Sequence, residues 1–265
     1  MGIDDDGEVH IWTASPQALA PHQWPRLNAW LDPQERVQCL GFHHEADRHA
    51  YALAHALRRL AVARALGVAP ALVAFSSTAR RKPVVAAPPG SSLHVSLSRS
   101  RALVACAVTR IGPVGIDVEP VVPAGADMGL LHGLVALPER PARAQPGTKP
   151  FFFYWTLLEA YWKCRGTGLS LDQPALHFMQ PAGPWLTLGT APPGGPQAPG
   201  AVLARPLPVP PGCAAALALD AGPSGLAAPG IRLVQHPPTD WARELAAGAG
   251  SPPPTALPTA TFACA

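Results

Sequence analysis

Gly115-Ile116-Asp117-Val118-Glu119-Pro120 and, about forty residues further on, Trp155-Thr156-Leu157-Leu158-Glu159-Ala160-Tyr161-Trp162-Lys163 are the two stretches that decide how this chain is read. The first places carboxylates at i and i+2 with apolar residues between them. On a strand, Asp117 and Glu119 point to one face while Ile116 and Val118 point into a core. The second reads as a helix on which Trp155, Glu159 and Lys163 recur every four residues and share a face. Three converging carboxylates and one ammonium suit a hard divalent cation that holds a polyphosphate. Taken singly, the strand pair is also what the wet face of a half-buried strand looks like. Glu159 and Lys163 alone would be an ordinary surface helix pair, worth a few tenths of a kcal/mol.

The rest of the sequence frames those stretches. The chain has 265 residues, of which 48% are hydrophobic and 14% charged, so it can bury sizeable cores in one large or two small domains. The net charge of +3 lacks the dense basic stripe of a nucleic-acid binder. Five cysteines, with no CxxC pair, fit a reduced cytoplasmic protein. The opening Met-Gly-Ile-Asp-Asp-Asp has no apolar signal region, and no run of residues has the length and apolarity of a membrane span.

Local patterns give the element order. Val9–Thr13 reads as a strand. Asp32-Pro33-Gln34-Glu35 opens a short helix with an N-cap, a proline at N1 and a capping-box glutamate, and the helix runs to about Gly41. A longer helix is expected over 46–66, with Leu53, Leu57 and Leu60 on one stripe and Gly67 as its stop. His94–Leu97 and Ala102–Thr109 read as paired strands around a turn at Ser98-Arg99-Ser100-Arg101. Strand Val114–Glu119, a helix over 151–166 and strands near 175–179, 185–188, 201–204, 213–219 and 231–235 follow. Residues 237–265, rich in Pro and Ala, read as a disordered tail with one turn of helix at Trp241–Ala247.

Taken in order, these motifs resemble the Sfp-type 4′-phosphopantetheinyl transferases. The resemblance runs through Asp32–Arg36, Asp47-Arg48, Ala54–Arg59, Lys82-Pro83, Leu97–Ser100, Gly115–Pro120, Trp155–Lys163 and Gly166–Ser170. The pairing of G-I-D-V-E with W-T-x-x-E-A-x-x-K at this distance carries it. The resemblance implies an α+β monomer of two pseudo-twofold-related subdomains, each a small, mainly antiparallel sheet packed with a helix, with coenzyme A in the cleft between them. The expected division is 1–110, then 111–236 with the Mg²⁺ site, then the tail. It further implies Mg²⁺-dependent transfer of the phosphopantetheine arm of coenzyme A to a serine of an apo acyl or peptidyl carrier protein, with no nucleic-acid or membrane partner. Asp117, Glu119 and Glu159 would bind Mg²⁺. Glu159 would be the base and Lys163 would contact the pyrophosphate. Lys82, Pro83, Ser98, Arg99 and Ser100 would hold the nucleotide end.

The chain departs from the family pattern at four places. Leu158 stands where the family has Lys, Arg99 where it has His, and Arg81 where it has Gly. Glu35 and Gln38 stand where basic residues often bind the 3′-phosphate, so Arg36 or Arg48 would substitute. A guanidinium at Arg99, always charged, is expected to replace the histidine's phosphate contact and to offset the ammonium lost at Leu158. The alternative reading is a degenerate homologue that binds coenzyme A or a carrier protein without catalysis. A generic Mg²⁺-dependent phosphohydrolase is a third.

Overall fold

The computed structural model describes residues 7–77, 82–122, 128–136, 150–168, 175–179, 185–190, 202–222 and 232–236. They fall into two compact units, one from Met1–Ile111 with Ile231–Ala265, the other Gly112–Gly230. Helix and largely antiparallel sheet are mixed in each, which is the expected α+β class.

In the first unit, strands β1 (Glu8–Ala14), β4 (His94–Arg99), β5 (Val104–Thr109) and β12 (Arg232–His236) form a sheet in the order β12-β1-β5-β4. A two-stranded ladder, β2 (Ala74–Ser77) with β3 (Pro83–Ala87), stands beside it. The short helix α1 (Trp24–Leu27) precedes α2 (Pro33–Leu40). The capping box forms at α2: Glu35 N–H donates to Asp32 Oδ1 at 2.8 Å and Asp32 N–H to Glu35 Oε2 at 2.9 Å. Helix α3 (Glu45–Leu66) buries Leu53, Leu57 and Leu60 completely against the sheet. It stops at Gly67, whose left-handed φ of 67° closes the last turn as Val68 N–H reaches the Ala63 carbonyl.

Two sequence expectations change here. The β4–β5 turn lies two residues later than read, because Arg99 still pairs with Val104 and the loop is Ser100–Leu103. Ser100 closes that loop itself, its hydroxyl accepting from the N–H groups of Ala102 and Leu103 and donating to the Leu103 carbonyl. The last strand, β12, was expected with the C-terminal elements. It runs parallel to β1 instead, with His236 beside Trp12, and so belongs to the first unit. A parallel pairing across more than two hundred residues leaves no local sequence mark.

In the second unit, β6 (Val114–Pro120), β7 (Val135–Ala136), β8 (Leu176–Met179), β9 (Leu186–Gly189), β10 (Val202–Pro206) and β11 (Cys213–Leu219) form a sheet in the order β6-β11-β10-β9-β8-β7. Helix α4 (Met128–Leu134) precedes β7, and α5 (Pro150–Arg165) packs on the sheet. The packed face is built of very small residues: Gly115 on β6 is cross-strand from Ala218, and Ala216 and Ala214 follow along β11. A Cβ at Gly115 would sit 1.9 Å from the Ala160 carbonyl oxygen and 2.4 Å from the Cys164 nitrogen, so strand and helix backbones touch. Residues 137–149, 169–174 and 237–265 lie outside the described residues, and with them the end of the Gly166–Ser170 motif and the tail. Among the described residues, no helix is long and apolar enough to cross a membrane.

Gly115→Ala pushes two backbones apart, and neither partner is a flexible side chain. It should destabilise the chain by about 3 kcal/mol or more, at the upper end for overpacking. Urea denaturation checks this. An unchanged midpoint would show that the helix backbone does not lie against Gly115.

Candidate functional site

Strand β6 alternates as the sequence predicts, but neither face is wet. Val114, Ile116 and Val118 are buried on one face, and Asp117 is only 3% exposed on the other. Gly115, Asp117 and Glu119 share the face that meets α5. The simpler reading of Asp117 as part of a solvated strand face is therefore excluded.

Helix α5 supplies the opposing side. Nearly every residue from Phe151 to Cys164 is buried, and the three half-buried exceptions are Trp155, Glu159 and Lys163, the stripe read from the sequence. Lys163 Nζ donates to Asp117 Oδ1 at 2.7 Å. Leu158 points away from that stripe: it is 0% exposed, inside the core under α5. The departure at Leu158 is thus a packing residue, and the expected compensation by Arg99 for a site ammonium at that position has no basis in its placement.

The carboxylates feel one another. Burial, then the Asp117 charge, pushes the Glu119 carboxyl up to about 7. Lys163 opposes this, Glu159 adds to it, and a hydrogen bond from the Trp155 side chain opposes it again. Glu159 is also raised, by burial first and then by Asp117, against the pull of Lys163. Trp155 is therefore a polar partner of the site through its ring N–H. Its place one turn before Glu159 is the signal that could have shown this.

The donor chemistry fits a hard divalent cation. All three acidic groups offer oxygen, and a dication would relieve the crowding that raises two of them. As placed, no group of three His, Cys, Asp or Glu side chains among the described residues closes around one ion. Lys163 is the positive charge that Asp117 meets here.

The remaining expected residues lie in the first unit. Arg36 and Arg48 come together on a groove of about 600 Å³. Each also ties down main chain: Arg36 Nε donates to the Leu31 carbonyl at 3.0 Å and Arg48 Nη1 to the Phe42 carbonyl at 2.8 Å. Ser98 is buried on β4. Arg99, exposed at the end of β4, lies 4.8 Å from the Phe42 ring centre and 5.3 Å from that of Tyr51. Lys82 is half-buried, Pro83 begins β3, and Arg81 lies outside the described residues.

Glu35, where a basic residue was expected, is a buried anchor. It accepts from Arg58 at 2.6 Å and Arg59 at 3.1 Å and meets His55 Nδ1 at 2.7 Å. Burial alone would raise its carboxyl, but hydrogen bonds from His55 and the Asp32 N–H and the nearby positive charge bring it down to about 2. Gln38 accepts the Tyr51 hydroxyl at 2.7 Å.

No protein-family model matches the chain. Curated relatives do. The chain is 31% identical over 191 residues to the 4′-phosphopantetheinyl transferase HetI of Nostoc, covering 70% of this chain and 79% of that one. It is 30% identical over 155 residues to a 4′-phosphopantetheinyl transferase of Bacillus subtilis, covering 58% and 68%. It is 26% identical to the 4′-phosphopantetheinyl transferase Sfp of Bacillus subtilis strain 168, over the same shares. The class is therefore that of a group-transfer enzyme. The chain belongs to the 4′-phosphopantetheinyl transferase family.

The raised Glu119 carboxyl has a sign that can be tested. Its ordinary value is 4.5, so between pH 4.5 and 7 the folded state holds a proton that the unfolded chain has released. Stability falls as pH rises through that window. Without divalent cation, Glu119→Gln should be more stable than the parent at pH 8, by at most about 3 kcal/mol, and the gain should fade by pH 5. Thermal melts at the two pH values check this. An equal difference at both would show that the carboxyl is not crowded.

Proposed function

We propose that this transferase moves the 4′-phosphopantetheine arm of coenzyme A onto a serine hydroxyl of an apo carrier protein, in a Mg²⁺-dependent reaction, as a cytoplasmic monomer of two related subdomains. The observation that carries the reading is the meeting of Asp117 and Lys163 at 2.7 Å beside two carboxyls whose acidity they and burial disturb. The family assignment supplies the reaction class.

Asp117, Glu119 and Glu159 would hold Mg²⁺, which when bound neutralises charge on the pyrophosphate. Lys163 places a fixed cation at the same point and offsets charge on the departing adenosine 3′,5′-bisphosphate. Glu159, with its carboxyl raised, takes the proton from the serine Oγ onto a carboxylate oxygen. The serine oxygen forms the new bond to phosphorus as the anhydride P–O bond breaks. Burial of Asp117 keeps water from the pair that positions this charge. At the nucleotide end, Arg99, braced on Phe42 and Tyr51, would present a planar cation to phosphate, and Lys82, Pro83, Ser98 and Ser100 would complete the contact.

Asp117→Ala should lower transfer by on the order of 10²-fold or more, because one charge contact to the reacting phosphates is lost. Chelation should abolish transfer and added Mg²⁺ restore it. The readout is the mass gained by apo carrier protein incubated with coenzyme A. Near-parental activity of Asp117→Ala would overturn the metal assignment. Separately, Arg99→Ala should weaken coenzyme A binding about tenfold, with Arg99→His milder, as titration calorimetry would show. Equal affinities would remove Arg99 from the site.

A further inference from the structure

Two guanidinium groups, Arg99 and Arg101, face one carboxylate, Asp47, where the end of β4 meets the start of α3. Arg101 takes both oxygens of that carboxylate. Its Nε donates to Oδ1 at 2.7 Å and its Nη2 to Oδ2 at 2.8 Å, the two-point geometry that a planar guanidinium prefers. The main chain behind Arg101 is held as well. Its carbonyl accepts from the Gln17 side-chain amide, and Ser100 closes the loop beside it.

Arg99 stands two residues earlier in the chain. Asp47 and Tyr51 are four apart on α3, so the carboxylate and the shelf under Arg99 share one helix face. Among the described residues, the Arg99 guanidinium meets the Phe42 and Tyr51 rings and no carboxylate. Asp47 nevertheless feels it. The hydrogen bond from Arg101 is the first cause that holds the Asp47 carboxyl below its ordinary value, and the charge of Arg99 is among the smaller ones. Ring contacts hold an exposed guanidinium only weakly. A carboxylate with open oxygens one turn away would draw it off the shelf into a two-point bond.

We propose that Arg101 is a positioning residue: by occupying both oxygens of Asp47 it keeps that carboxylate from capturing Arg99, whose guanidinium stays on the Phe42–Tyr51 shelf, open to an anion. The inference rests on the reading that Arg99 meets a phosphate of coenzyme A. An exposed ion pair such as Asp47–Arg101 contributes little to stability. Its consequence is the choice of cation that the acid holds.

Three variants of the full chain test this. Arg101→Ala should weaken coenzyme A binding about tenfold, because Asp47 then takes Arg99 out of reach of the phosphate. Asp47→Ala should leave the affinity within about twofold, since no acid remains to compete. Arg101→Ala/Asp47→Ala should recover the affinity of Asp47→Ala, so the second substitution rescues the first. A clamp that merely braces the loop would weaken all three alike, and that pattern in titration calorimetry would overturn the proposal. A second readout needs no ligand. The Nε–H NMR signal of Arg99, assigned by its loss in Arg99→Lys, should move in Arg101→Ala and coincide with that of Asp47→Ala in the double variant. A signal that does not move in Arg101→Ala, or does not coincide in the double, would also sink the idea. If the signal moves and is rescued while the coenzyme A affinity stays constant throughout, Arg101 guards Arg99 as proposed, and it is the phosphate reading of Arg99 that fails.

Discussion

The missing side chain at Gly115 is the constraint on which the second unit depends. A helix rests on a sheet at a distance set by the side chains between them, and here those are a hydrogen atom and three alanine methyls. At a normal spacing an aspartate on β6 and a lysine on α5 would have water between them. At this one, Asp117 and Lys163 meet at 2.7 Å while Asp117 is almost wholly buried. Burying such a pair costs much of what its attraction returns, so it is a poor device for stability alone. What it does is fix a charge in place. The alanines of β11 are thus part of the site, although none of them carries a functional group.

In the first unit the comparable constraint is Glu35. The same carboxylate closes the capping box of α2 and gathers His55, Arg58 and Arg59 from α3. One side chain therefore ties two helices together and pairs with two buried guanidinium groups. With its value drawn from 4.5 to about 2, it contributes stability above pH 4.5 that is lost as pH falls through that range. Glu119 in the second unit has the opposite sign, since acid relieves it. Acid therefore withdraws the contribution of Glu35 in the first unit and relieves the crowded, half-buried Glu119 in the second.

What was legible in the sequence was local. The four-residue spacing of Trp155, Glu159 and Lys163 is a direct image of a helix face, and every residue between them proved to be core. The capping box at Asp32, the stop at Gly67 and most strand spans were likewise readable, because each is decided by residues within one or two turns. What was not legible depends on distant partners. The parallel seat of β12 beside β1 is set by a surface that forms elsewhere in the chain. The role of Gly115 needs α5 in place, and the ring N–H of Trp155 becomes a site group only once Glu119 is opposite. The hairpin turn was misplaced by two residues because Ser98 and Arg99 look like turn residues, whereas pairing to Ala105 and Val104 holds both in the strand.

The departures from the family pattern then sort by what each position touches. Leu158 faces the core, where an ammonium would have to be desolvated, so a leucine there strengthens packing and removes nothing from the stripe that carries Glu159 and Lys163. Glu35 faces two arginines, and a cation in its place would leave three positive groups buried together. The exchange is coupled: once Arg58 and Arg59 are inside, only an acid is tolerated at 35. Arg99 stays at the surface, on an aromatic shelf of Phe42 and Tyr51 that orients its plane. Leu158 and Glu35 therefore belong to the folding of this chain. The exposed guanidinium at Arg99 keeps its charge at every physiological pH, which a histidine does not.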